Sequence, residues 1–360
     1  MNQRLLLFFL ALFIWHGTFS QNEWGLECKI KNGNLAPHRA VMDHLRTERV
    51  WSGEISYFIE LNDTNSWANY YPKPRIGVTG FFNQLGNTPI LGDAFGIYAF
   101  GELPFFRTKN LSFNARVGAG ISYITKVYDA KTNPKNNAVS SHINATILLG
   151  LNFRYFVKNN SFGIGAEMTH FSNGSAKLPN LGLNFPLLSL SYGHVMGQSL
   201  SKPVSDPITK KGLPIQLGVN AIFSWKEVLP LTHKKYPVYG LNLFARKIFS
   251  PKVGVEFALD GIYKTSILDY LPEFEKKPLD IVQLGAFLGY VLSYDHFSAV
   301  IGMGGYYRDR YLPEDYFYHR IGMRYRFKSN LQIGWTLKAN WGKADYWEWS
   351  VGYLFNRKKK

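Results

Sequence analysis

The residues best suited to chemistry stand together at His170-Phe171-Ser172-Asn173-Gly174, with Asn184 ten residues beyond that string. In an extended chain alternate side chains share a face, so His170 and Ser172 point the same way. An imidazole beside a hydroxyl is the pairing that activates a serine: the ring takes the proton and the oxygen becomes a nucleophile. Asn184 opens the next alternating segment, where a polar side chain could reach the imidazole from a neighbouring strand. A His-x-Ser pair alone also serves as ordinary hydrogen bonding at a sheet rim, so the elements that carry it decide its meaning.

Those elements have a period of two. Ile143, Ala145, Ile147, Leu149, Leu151, Phe153 and Tyr155 alternate with Asn144, Thr146, Gly150, Asn152 and Arg154, and Leu331–Trp341 repeats the pattern. Segments of about ten residues, apolar on one face and polar on the other, mark barrel strands with lipid outside and water within. A soluble sandwich alternates too, but these segments are long and aromatic residues make up 16% of the chain beside 33 Gly. The final segment, Trp347, Trp349, Val351, Tyr353 and Phe355 on one face, resembles the terminal strand by which outer-membrane barrels are recognised for assembly.

Fifteen strand candidates lie between residues 50 and 355, and short connections alternate with long ones. Bacterial barrels take even strand numbers, with short turns on the periplasmic side. The reading is therefore all-β: a transmembrane antiparallel β-barrel of roughly 12–14 strands over residues 75–356, preceded by a periplasmic N-terminal segment at 21–74. One connection departs from the rule. The stretch 197–211, with Pro203 and Pro207, is long yet falls on the short-turn side, and its one account is a boundary between two halves.

The first residues predict export. Arg4 precedes an apolar run from Leu5 to Trp15, and Thr18-Phe19-Ser20 supplies small residues for cleavage near Gln21, so residues 1–20 read as a signal peptide. Eleven apolar residues are too few for a spanning helix. Cys28 is the sole cysteine, so no internal disulfide forms, and its distance from the apolar run argues against a lipoprotein acceptor. The net charge of +16 suits nucleic acid in a cytoplasmic protein. In an exported chain it points instead to an anionic glycolipid surface, or to charged loops and the Arg357–Lys360 tail.

Parity aims the candidates. Ile164, Ala166, Met168, His170 and Ser172 share the apolar face of one strand, and Asn184, Pro186, Leu188, Leu190 and Tyr192 that of the next. All three polar residues therefore project outward near a rim, a costly position on a lipid face that asks for a function. Glu167 points inward, away from His170. His142 and Asn144 read as lumen-facing structural residues. Arg320, Arg324, Arg326 and Lys338 would line the lumen, either paired with carboxylates or forming an anion-attracting pore, and pairing is the favoured reading. His38 and His44 lack accompanying ligands at metal-site spacing, so no metal is assigned and they read as ordinary N-terminal residues.

The string His170-Phe171-Ser172-Asn173-Gly174, continued by Pro179-Asn180-Leu181-Gly182-Leu183-Asn184, resembles the motif of the outer-membrane lipid A 3-O-deacylase family, also called acyloxyacyl hydrolase-like. The resemblance covers residues 75–196, and the remaining C-terminal part exceeds the family's small eight-stranded members. It implies that Ser172 is the nucleophile and His170 the general base. Position 184 would orient the imidazole, and Asn173 with the Gly174 backbone would serve the oxyanion. The family has an acidic residue at position 184, where this chain has Asn; an amide can fix a tautomer but cannot balance an imidazolium with a full charge. The implied reaction removes an ester-linked acyl chain from lipid A or lipopolysaccharide without a cofactor. The implied setting is the outer membrane of a Gram-negative bacterium, with outer-membrane lipid as partner and homodimerisation left open. A channel and a purely structural barrel stand as the competing readings.

Overall fold

The computed structural model describes residues 23–61, 68, 71–197, 214–228, 234–250, 253–270, 278–294, 296–310, 316–341 and 343–355. The signal-peptide expectation, the basic tail and nearly all of the 197–211 stretch lie outside the described residues.

Sixteen strands form two closed barrels rather than one. The first comprises Glu23–Gly33 (β1), Val50–Glu60 (β2), Arg75–Gln84 (β3), Asp93–Arg107 (β4), Leu111–Ile124 (β5), Ile143–Val157 (β6), Asn160–Ser172 (β7) and Leu183–Val195 (β8). Each strand pairs antiparallel with the next, and β1 closes the ring on β8 with Gly25 opposite Val195. The second comprises Gln216–Glu227 (β9), Lys235–Ile248 (β10), Val253–Lys264 (β11), Val282–Tyr294 (β12), Phe297–Arg308 (β13), Phe317–Arg326 (β14), Leu331–Asn340 (β15) and Lys343–Phe355 (β16). It closes through β16 and β9, with Trp349 opposite Phe223.

Two sequence expectations are corrected here. The single barrel of 12–14 strands becomes two barrels of eight, and the supposed periplasmic segment at 21–74 contains β1 and β2. The physical reason lies in β1. Its Glu27, Lys29 and Lys31 are buried inside the barrel while Leu26 and Ile30 are exposed outside, so a membrane strand reads as a charged, polar segment. Cys28 lies on the outward face of this strand. The 197–211 stretch belongs to the connection between the barrels, as its unusual length suggested.

Both barrels are apolar outside and ionic inside. Ile55, Ile121, Leu149, Ile164, Leu188 and Leu190 on the first, and Leu241, Leu288, Ile301 and Val351 on the second, are exposed. A continuous apolar exterior of this kind fits acyl chains rather than water. Among the described residues no helix is long and apolar enough to cross a membrane. Inside the first barrel, Lys29 and Lys31 pair with Glu54 and Glu167. Arg116 and Arg154 share Glu27 at 2.7 Å each, and Arg75 meets Glu60 at 2.5 Å. In the second, Arg320 bridges Asp260 and Glu348, Arg246 and Arg324 share Glu256, and Lys226, Lys264 and Lys338 converge on Asp345. Arg320, Arg324 and Lys338 are thus paired, as the sequence favoured; Arg326 is half-buried at the turn end. An eight-stranded barrel is just wide enough for side chains to fill it, and here ion pairs do the filling.

The loop ends differ from the turn ends. In the first barrel, segments 34–49, 85–92, 125–142 and 173–182 lie at one end and fold inward. Leu35, Met42, Leu45, Leu85, Leu91, Ala138 and Val139 are buried there against Phe171 and Leu183. They form an apolar cap over the charged lumen, each large side chain contributing about 1.5–3 kcal/mol by leaving water.

Candidate active site

Register brings the polar residues together. On β7 and β8, His170 lies directly opposite Asn184 and Phe171 opposite Leu183. Opposed residues of an antiparallel pair place their side chains in contact on one face. The inward partners, Phe171 and Leu183, are fully buried in the apolar cap, so the neighbouring residues must face outward. Met168 and Ile164 on the same face of β7 are indeed exposed.

The outward parity therefore holds, but the site is not open to lipid. Ser172 is only 4% exposed against 61% for Ile164, and His170 and Asn184 are half-buried. The loop after β7 covers them. The 173–182 loop folds back over the imidazole, and at Gly182 a Cβ would lie 2.9 Å from His170 Cε1. Gly182 also has φ +76°, so glycine meets both a conformational and a steric demand. The same loop meets the other barrel. A Cβ on Gly174, at φ +62°, would fall 2.0 Å from the indole nitrogen of Trp347 on β16.

Further contacts tie this loop to the second barrel. Ser175 Oγ donates to the Ala344 carbonyl at 2.8 Å, and the Leu178 N–H donates to Glu227 Oε2 at 3.0 Å. The Glu227 N–H donates to the Ser175 carbonyl at 3.3 Å, and Lys235 donates to both Glu227 and the Ala176 carbonyl. Within the loop the Leu178–Pro179 peptide is cis.

The chemistry begins at His170, whose Nδ1 meets Asn184 Oδ1 at 2.6 Å. An acceptor on Nδ1 fixes the tautomer that leaves Nε2 bare to receive a proton. The amide continues the chain: Asn184 Nδ2 meets His38 Nδ1 at 3.2 Å. His38 follows β1, and it sits at this site rather than among unremarkable N-terminal residues. His44 lies elsewhere, its Nε2 on the Lys135 carbonyl. No hydrogen bond joins Ser172 Oγ to the imidazole here; such contacts often tighten only with substrate bound. Glu167 cannot substitute for Asn184, because it faces the lumen between Lys29 and Lys31.

Asn173 and Gly174 sit just beyond Ser172 with different duties. The Asn173 side-chain amide donates to Ser141 Oγ and to the Lys177 carbonyl, both at 2.9 Å, and its N–H donates to Asn180 Oδ1 at 3.1 Å. Asn173 therefore shapes the loop. The Gly174 N–H has no acceptor among the described residues. Asn144 is buried and donates to the Ser141 carbonyl at 2.6 Å. His142 is exposed rather than lumen-facing; it stacks on Tyr123 and bonds the Ile124 carbonyl.

Sequence reasoning missed His38, Trp347 and Glu227. His38 and Asn184 are 146 residues apart, and no local spacing signals contacts across a barrel seam or between barrels.

The comparisons fall along the same division. The family model described as lipid A 3-O-deacylase (PagL) matches residues 51–193, and the one described as acyloxyacyl hydrolase, C-terminal domain, matches residues 213–357. No curated protein matches the chain. Among solved structures it is similar to neisserial surface protein A at 14% identity, covering 48% of this chain and 97% of that one with a TM-score of 0.31. It is also similar to Omp33 of Acinetobacter baumannii, at 8% identity, 93% and 99% coverage and a TM-score of 0.18. OccK9 of Pseudomonas aeruginosa gives 10%, 93%, 97% and 0.23. Scores this low carry no argument about the site. The two family models follow one another, the first over β2 to β8 and the second over β9 to β16, and the chain belongs to the lipid A 3-O-deacylase and acyloxyacyl hydrolase family.

Proposed function

We propose that this protein is an outer-membrane esterase that releases an ester-linked acyl chain from lipid A or lipopolysaccharide, with Ser172 as nucleophile and His170 as general base. The observation that supports it most is the 2.6 Å bond from His170 Nδ1 to Asn184 Oδ1, made on the outer wall beside Ser172. This leaves Nε2 as the basic nitrogen of the ring on the outer wall, beneath the loop that carries Gly182 over it. A soluble substrate would have no route along an apolar exterior.

In the reaction, His170 Nε2 takes the Ser172 proton while Oγ attacks the ester carbonyl. The tetrahedral intermediate collapses as the imidazolium returns that proton to the departing sugar hydroxyl. Water, deprotonated by the same imidazole, then attacks the acyl-serine and frees the fatty acid. The unengaged Gly174 N–H is the best-supplied oxyanion donor, and one such donor is worth about 3 kcal/mol. Asn173, with its side-chain donors committed to the loop, holds that N–H in place.

The test is fatty-acid release from purified lipopolysaccharide by the folded, full chain. Ser172→Ala and His170→Ala should each lower the rate about a thousandfold or more, with heat-modifiable folding on gels unchanged. Equal release by parent and variants, or none by the parent, would remove the proposal. The channel reading lacks support in either barrel, since the lumen-facing charges are buried against one another.

A further inference from the structure

We propose that His38 is a positioning residue for the esterase site, selecting which end of the Asn184 amide faces His170. The inference rests on the reading of His170 and Ser172 given above. It starts from a problem that an amide poses and a carboxylate does not. Both oxygens of a carboxylate accept hydrogen bonds, so either can hold a histidine Nδ1–H. An amide accepts at one end and donates at the other. Turned over, Asn184 would present its NH2 to His170 Nδ1, demand a bare nitrogen there and place the proton on Nε2. The base would then carry a proton where it must accept one, a tautomer error that is worth orders of magnitude in serine hydrolases.

The structure supplies the group that breaks the tie. His38 Nδ1 meets Asn184 Nδ2 at 3.2 Å while His170 Nδ1 meets Oδ1 at 2.6 Å. A neutral His38 whose Nδ1 is bare can only accept, so it draws the NH2 to itself and turns the carbonyl oxygen toward His170. The ring is held for this duty. It follows Ala36 by two residues on the same loop, and the Ala36 N–H donates to the Asn184 carbonyl at 2.8 Å, a contact that fixes β8 to the 34–39 segment. The groups facing His38 are Arg39 on its own loop, the Leu181 backbone on the 173–182 loop, His170 on β7 and Asn184 on β8. Partial burial, with Arg39 adding to it and the Leu181 bond opposing, holds the His38 imidazole below the ordinary histidine range. At neutral pH it is an acceptor.

Protonation reverses its role. An imidazolium has a donor on both nitrogens, so His38 Nδ1–H would face the Asn184 NH2 donor to donor and favour the flipped amide. The acidic limb of activity should therefore record two histidines rather than one: His170 losing its basicity and His38 releasing the amide.

Four variants separate this from a structural role, with deacylation of lipopolysaccharide followed between pH 5 and 9. His38→Ala should lower the rate at neutral pH about tenfold, the scale of one net hydrogen bond, and should flatten the acidic limb to one proton. His38→Gln, whose non-titrating amide can accept at one end but also donate at the other, should recover part of the rate and keep the one-proton limb. In Asn184→Asp the carboxylate needs no orientation, so adding His38→Ala should cost less than twofold. If His38→Ala leaves rate and limb unchanged, or damages Asn184→Asp as much as the parent, the proposal is overturned. Nitrogen-15 shifts of the His170 ring give an answer independent of turnover. The parent should hold the Nδ1–H form at neutral pH and His38→Ala a mixture; identical tautomers overturn the proposal even if the chain proves inactive. Loss of the deacylase reading itself would appear separately, as release insensitive to Ser172→Ala.

Discussion

The two barrels share strand number, antiparallel pairing and an ion-paired interior, yet they place their apolar packing at different heights. In the first, the buried apolar cluster lies at the loop end, where residues such as Leu45 and Leu91 descend onto Phe171 and Leu183. In the second, the larger described cluster, with Ile248, Val291, Val300 and Leu354, extends toward the turn end, and a smaller one of Val238, Ile262 and Tyr346 lies at the loop end. The outer rims differ as well. The first carries His170, Ser172 and Asn184, whereas the second presents stacked Trp335 and Trp347, 4.3 Å between ring centroids, beside Trp349. The difference teaches where rigidity is needed. A rim that holds three polar groups in register on a lipid-facing wall has its inward neighbours locked into an apolar cap.

The largest expected disturbance tests the interiors. Glu167→Gln leaves Lys29 and Lys31 to share Glu54 in a buried site, which should cost about 3–5 kcal/mol of stability. Thermal unfolding in detergent reads this, while the pH profile of deacylation should keep its shape because Glu167 faces away from His170. A displaced profile would mean that the lumen does reach the site. Next come matched truncations of the two clusters. Leu45→Ala and Leu354→Ala, at 0% and 2% exposure, should each destabilise by about 2–5 kcal/mol. Only Leu45→Ala should also lower kcat, and equal effects on turnover would dissolve the distinction between the rims. The smallest change probes the contact between the barrels. Glu227→Ala removes the acceptor of the Leu178 N–H and should raise KM several-fold, about 1 kcal/mol for one hydrogen bond. An unchanged KM would leave the second barrel without influence on the loop.

Much of this was legible in the chain. The period of two gave strand faces, and parity correctly sent His170 and Asn184 outward and Glu167 inward. The spacing from His170 to Asn184 became a direct cross-strand pair because a loop of ten residues joins β7 and β8. What escaped notice did so for physical reasons. In β1 the charged residues look into a lumen that neutralises them, and hydropathy cannot distinguish that from a polar segment. Closure of two rings instead of one depends on which strand edges meet, and alternation is blind to edges. Folding of the 173–182 loop over His170, and its contact with Trp347, are tertiary events with no local signature. The same holds for His38, which reaches Asn184 only because β1 closes against β8.

The eight-strand count has a topological consequence. An even number of crossings returns the backbone to the side from which it set out, so β9 begins where β1 did and the two barrels stand in the same sense. β8 therefore ends and β9 begins at the turn end, opposite the bonds that Glu227 and Ser175 make at the loop end. At the loop end those bonds hold the 173–182 loop against the second barrel, with Trp347 beside Gly174.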